Sequence, residues 1–266
     1  MAITALHTAA TGMQALSTKI DVIANNIANA DTVGYKSSRA NFQDLLYQVW
    51  AQPGVQTSAK TSSPLGTQIG LGVALSNTQI LFRQGSAMQT GNGLDAMIQG
   101  DGFFQVELPG GGTGFTRAGN FVRNSEGELV LGNSQGMRMK DSPTIPEDVP
   151  LDKVSISADG QVVVSRADGT AESVGQLELA RFPNPSGLLQ YGSNIYVISP
   201  ASGDPIEGIP GQDGLGTLLP GSLELSTTEA VSELVELIKT QRVFQMNSQS
   251  IQTADEALQT VANLRR

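Results

Sequence analysis

Residues 6–30, LHTAATGMQALSTKIDVIANNIANA, decide the fold. Leu6, Met13, Ile20 and Ile27 recur every seven residues, and Ala9, Leu16, Ile23 and Ala30 follow each of them by three. Apolar residues at these two heptad positions make a seam along one side of an α-helix, the pattern of helices that pack lengthwise. Asn29, Asp31, Thr32 and Gly34 then supply cap and turn chemistry, so the helix is expected to stop near residues 30 to 34. The far end of the chain repeats the arrangement. Leu237, Phe244, Ile251 and Leu258 are again seven apart, with Val231, Leu234 and Ile238 widening the stripe early and Ala254 and Val261 filling the second seam position late. Ser226 with Glu229 reads as a capping box that opens this helix, which can run to about Leu264. Helices of about 30 and 38 residues are roughly 45 and 57 Å long, which matches no compact β domain. Periodicity leaves open whether the seams close on each other, as an antiparallel hairpin in one chain, or on neighbouring chains.

The positions of the helix breakers set the rest of the organisation. All 12 prolines lie between Pro53 and Pro220, only Gly12 and Gly34 of the 30 glycines precede residue 37, and residues 225–266 contain neither type. Two helix-permissive ends therefore bracket a turn-rich middle. Within it, Val154 to Ser157 and Val162 to Ser165 flank Asp159-Gly160, a strong hairpin signal. Further Asp-Gly steps stand at 101, 168 and 213, with later strands at Leu177, Leu179 and Ile195 to Ile198. Residues 46–70, rich in Gln, Ser, Thr, Pro and Gly, have no helical period and read as an extended connection or a loose hairpin. The expected class is α+β: long N- and C-terminal coiled-coil-type helices packed together, with a central all-β domain. The expected segments are a helical domain of 1–36 with 225–266, a connecting segment of 37–70, and a β-rich outer domain of 71–224.

Charge and composition remove several function classes. The net charge is −9, of which the middle carries −8, so no basic nucleic-acid footprint exists. His7 is the single histidine, among Leu6 and Ala9 on a helix, and reads as a core or interface residue rather than a ligand. The absence of cysteine removes disulfides, thiolate catalysis and Cys-based zinc sites. Gly110-Gly111-Gly112 lacks the Gly-Lys-Ser/Thr that a phosphate cradle needs, and acid pairs such as Glu147-Asp148 read as solvated loop. No nucleophile, base and orienting group assemble from this inventory, so no catalytic, cofactor or metal residue is expected. Neither a secretory signal peptide nor a transmembrane segment is readable, although an export machine using other signals would leave the same blank.

The segment Asn25-Asn26-Ile27-Ala28-Asn29-Ala30-Asp31-Thr32-Val33-Gly34-Tyr35-Lys36 resembles the signature of bacterial flagellar rod and hook proteins. Gly100 to Phe104, Phe115 to Phe121 and Asn184 to Leu188 resemble turns of that family's β domain, and Gln241, Arg242, Phe244, Asn247 and Asp255 resemble its closing helix. Val33 departs from the pattern, which usually has a polar residue there. The resemblance implies terminal helices that line the inside of a hollow axial structure, with Asn25, Asn26, Asn29, Gly34, Tyr35 and Lys36 as the motif. Leu6, Met13, Leu16, Ile20, Ile23, Ile27, Leu237, Phe244, Ile251 and Leu258 become expected subunit contacts. The expected partners are further copies of the chain, other rod and hook subunits and the surrounding basal-body rings, with no cofactor. Chain length and Asp44 to Gln48 followed by Gln52-Pro53-Gly54 resemble the distal-rod branch and its insertion. That implies a torque-carrying shaft in the periplasm, exported without a cleaved signal. The alternatives are a proximal rod or hook-like subunit or, from another class, a β-rich wall-binding or wall-hydrolysing module.

Overall fold

The computed structural model describes residues 2–54, 56–58, 61–62, 64–146, 148–166 and 170–264; Asp168-Gly169, Glu147 and the side chain of Val261 lie outside the described residues. The chain has a helix at each end and a β-rich region between them, and it divides into two compact units. The first comprises Met1–Ala28, Ser38–Gln79 and Ala230–Arg266, and the second comprises Asn29–Ser37 and Ile80–Glu229.

In the first unit, α1 (Ala2–Ala28) and α2 (Ala230–Leu264) run antiparallel. Gly12 lies beside Asn247, Lys19 pairs with Glu236, and Asn26 meets Glu233, so numbers fall on α2 as they rise on α1. The hairpin within one chain, left open by the heptads, is therefore formed. α2 starts later than the expected capping box. Ser226 Oγ accepts the Thr228 N–H at 3.1 Å in a local turn, while Thr227 donates its N–H to the Tyr35 carbonyl and accepts the Ser37 N–H at its hydroxyl. Side chains spent in such a turn compete with a helix start, which moves to Ala230.

Between the helices the first unit contains an arm of antiparallel strands: β1 (Ser38–Asp44) with β4 (Val73–Ile80), and β2 (Tyr47–Ala51) with β3 (Thr67–Gly70). The stretch that lacked a helical period is thus a hairpin. Among its described residues it shows solvent the large apolar side chains of Leu46, Tyr47, Val49, Trp50 and Leu65.

The second unit is built on a six-stranded sheet. Its strands are β5 (Phe103–Glu107), β6 (Thr113–Thr116), β7 (Leu179–Arg181), β8 (Leu189–Gly192), β9 (Ile195–Val197) and β10 (Ile206–Gly208), in the order β8-β9-β6-β5-β7-β10. Successive side chains on a strand point to opposite faces, and on the four central strands both faces are buried, while the edge strands β8 and β10 are largely exposed. Phe104, Val106, Leu179 and Ile195 enter the larger core, whereas Phe103, Ala180 and Tyr196 join Phe115, Phe182 and Leu188 on the other side. Rings meet edge to face in both, Phe104 on Phe121 at 5.0 Å and Phe115 on Phe182 at 4.8 Å. The hairpin signalled by Asp159-Gly160 is present, with Ile156 opposite Val162 and Gly160 at φ +84°.

The Lys19–Glu236 pair in the first unit predicts a mild pH dependence. The Lys19 hydrogen bond holds the Glu236 carboxyl below the usual carboxylate range. Its contribution is present above the unfolded carboxylate value and is lost as pH falls through the lowered folded one. For so exposed a pair, Glu236→Gln should cost under about 1 kcal/mol at neutral pH. Melting followed by helical circular dichroism should show this gap from the parent close in strong acid; a gap independent of pH would refute it.

Candidate functional site

The candidate site is the helical surface together with the signature segment that follows α1. On α1 the buried residues are Ala9, Gly12, Ala15, Ile23 and Asn26. At 100° per residue this face is rotated away from the Leu6, Met13, Ile20 and Ile27 line, towards the small residues. A Cβ at Gly12 would stand 3.1 Å from Asn247 Nδ2, and one at Gly72 would stand 2.3 Å from Thr11 Oγ1. Small side chains thus let α2 and the arm approach closely. Leu6, Met13, Leu16, Ile20 and Ile27 are only half-buried, Ile23 is fully buried, and His7 is exposed.

α2 is barely covered. Thr240 is its one buried residue among those described, and helical spacing puts Leu237, Phe244 and Ile251, all half-buried, on the same side as Thr240 and Asn247. Leu258 is exposed. The opposite side carries Val231, Leu234, Val235 and Ile238 at spacings of three and four, 72%, 47%, 47% and 51% exposed. The heptads predict Val231, Leu234 and Ile238 as a widening of the Leu237 stripe; helical spacing instead sets them, with Val235, on the opposite side as a second stripe.

The motif residues serve backbone geometry. In the first unit Asn26 is buried and imitates a strand partner: its Nδ2 donates to the Ser38 carbonyl at 2.8 Å and its Oδ1 accepts the Ser38 N–H at 3.0 Å. The same amide lies 3.2 Å from Glu233, whose carboxyl is pushed up chiefly by burial. Asn25 is exposed. In the second unit the Asn29 carbonyl and side-chain oxygen accept the Thr32 N–H and hydroxyl at 3.3 and 3.1 Å, closing the turn after α1. Gly34 has φ +68° and donates to the Glu224 carbonyl at 2.7 Å; a Cβ there would lie 2.7 Å from the Ala118 nitrogen, so no larger residue fits. Tyr35, half-buried, accepts Thr227 through its carbonyl.

Lys36 is the motif's buried charge. Its ammonium donates to Glu224 Oε1 at 2.7 Å and to the Arg83 carbonyl at 2.6 Å, with 1% and 0% of the two charged side chains exposed. Burial pushes Lys36 below the usual lysine value, and the nearby Glu224 opposes that shift. Glu224 also accepts Gln84 Nε2 at 3.0 Å and the Gly85 N–H at 2.7 Å. The arrangement locks the signature segment into its unit. Sequence reasoning could not find Glu224, which is 188 residues from Lys36. Among the described residues no group of three or more His, Cys, Asp or Glu can hold a metal, and no helix is long and apolar enough to cross a membrane.

Removing the anion strands two buried cations, Lys36 and Arg117. Glu224→Gln should therefore destabilise the second unit by about 3–5 kcal/mol. Denaturant titration read on the β signal checks this, and a loss below about 1 kcal/mol would contradict it.

Three family models match along the chain. They are a flagellar basal body rod protein model at residues 6–36, a flagellar hook protein FlgE/F/G D1 domain model at 97–164, and a flagellar basal body rod FlgEFG protein C-terminal model at 219–264. The chain is 41% identical to the flagellar basal-body rod protein FlgG of Borreliella burgdorferi, covering 98% of each chain. It is 42% identical to FlgG of Caulobacter vibrioides over 98% of this chain and 99% of that one. With FlgG of Bacillus subtilis identity is 38% over 98% of both. The signature segment, the helical ends and the β unit between them are thus matched together, and the chain belongs to the flagellar basal-body rod protein family.

Proposed function

We propose that this chain is a structural, non-enzymatic subunit of the distal rod, polymerising with itself into a hollow helical drive shaft that carries motor torque to the hook. The observation that carries this reading is the open apolar stripe Val231, Leu234, Val235 and Ile238 on α2, opposite the side that faces α1. Apolar area left in water is driven into contact at about 25 cal/mol per Å2, and large exposed apolar surfaces mark interaction sites. Because the stripe differs from the surface it meets, the contact is heterologous, and such contacts build open helical assemblies. Leu6, Met13, Ile20 and Ile27 on α1 and Leu237, Phe244, Ile251 and Leu258 on α2 are half-covered or open and complete the proposed seams.

Residues 1–36 with 225–266 supply polymerisation through coiled-coil-type packing, 37–70 form the rod-type insertion, and 71–224 face outward. The partners are other rod and hook subunits and the rings around the rod, in the periplasm, reached by a dedicated export route without a cleaved signal peptide. The arm sets stiffness: its Leu46, Tyr47, Val49, Trp50 and Leu65 offer neighbours a second apolar contact.

Two substitutions at exposed positions separate assembly from folding. Ile238→Asp should leave monomer stability within about 0.5 kcal/mol of the parent yet abolish sedimentable polymer, because each subunit added would bury an unpaired carboxylate. Tubes formed at the parental concentration would sink the reading. Trp50→Ser should still polymerise, but electron microscopy should show curved or flexible tubes; straight ones of unchanged persistence would remove the arm from the account of stiffness.

A further inference from the structure

Three turns singled out in the sequence, Gly100 to Phe104, Phe115 to Phe121 and Asn184 to Leu188, converge in the second unit on one pocket of about 310 Å3. Phe82, Phe103 and Phe182 wall it, and Arg117, Arg181 and Asp101 supply its charges. Arg117 is 5% exposed, and its Nε and Nη1 are buried without a hydrogen-bond partner. Its guanidinium carbon sits 5.2 Å from the centre of the Phe103 ring. Its Nη1 faces Glu224 Oε2 at 3.7 Å, beyond hydrogen-bonding range, and that oxygen is itself buried without a hydrogen-bond partner, while Lys36, Gln84 and Gly85 all bind Oε1. Among the described residues Arg181 has no ion-pair partner. Lys36, Arg117 and Arg181 thus face Glu224 and Asp101, a local surplus of one cation in a chain of net charge −9.

The unpartnered nitrogens of Arg117 are enclosed, whereas half-buried Arg181 keeps an open planar fork, and a carboxylate meeting that fork satisfies two donors at once. We propose that this pocket receives a carboxylate side chain from a second copy of this chain, held by Arg181 between the phenylalanine rings, with the buried charge of Arg117 behind it. The proposal rests on the assembly reading above and names one of its contacts. A second copy is the occupant because the basic pocket complements the chain's own acidic surface, the middle of the sequence carrying −8 of the net charge. A pocket on one surface and an acid on another make the unlike pair that an open helical lattice repeats.

The test uses the full chain. Arg181 is only half-buried, so Arg181→Gln should melt like the parent while its critical concentration for polymerisation rises by about tenfold, the equivalent of one lost charge-assisted contact. Arg181→Lys, which keeps the charge and loses the fork, should fall between the two. A photo-crosslinker at Ile206, on the pocket rim, should capture an Asp- or Glu-bearing peptide of another copy in polymer and none in dilute monomer. Assembly of Arg181→Gln at the parental concentration, or crosslinks confined to the same chain, would overturn the proposal alone. A parent protein that never assembles would overturn the assembly reading first and this contact with it.

Discussion

A helix of 35 residues that, among its described residues, buries one side chain in its own chain is the constraint on which the rest depends. Isolated helices draw little stability from propensity and most from packing of an apolar face. α1 covers one side of α2, and its small residues there allow a close approach but offer little apolar area in return. A Leu, Ile or Val side chain left open forgoes about 1.5–3 kcal/mol of burial, and α2 leaves several in that state. In the assembly proposed above, contact with further copies supplies the missing cover, repeated at every subunit.

The second unit answers a different requirement. Both faces of the four central strands of its sheet are buried by its own residues, so its core is complete without a neighbour. Within it Lys36 is met by Glu224, whose carboxylate and carbonyl also take the backbone N–H groups of Gly85 and Gly34. Such a pair adds less stability than its geometry suggests, since desolvation of both charges offsets the attraction. The signature segment therefore acts through backbone geometry and burial.

Much of the fold was legible in the sequence because it rests on local rules. The heptads gave both helices, the Gly and Pro distribution bounded the β region, and Asp159-Gly160 gave its hairpin. What was not legible depended on long-range or steric terms. A heptad count ranks positions by hydrophobicity, whereas the buried face of α1 is set by where Ala9, Gly12 and Ala15 permit contact. The Ser226 box failed because Thr227 is held by Tyr35 and Ser37, residues far away in sequence. Glu224 looked like any acid near a strand. Composition excluded functions without naming one, and the resemblance of the signature segment pointed to the family that the relatives establish.

The central claim is that neighbouring subunits cover the α2 stripe. Hydroxyl-radical footprinting of dilute monomer and of sedimented polymer measures this directly, with Leu234, Ile238 and Met246, all exposed in the chain, as reporters. The account predicts strong modification of all three in monomer and marked protection of Leu234 and Ile238 in polymer, with the buried Phe104 protected in both. Equal reactivity of Leu234 and Ile238 in the two states would contradict it.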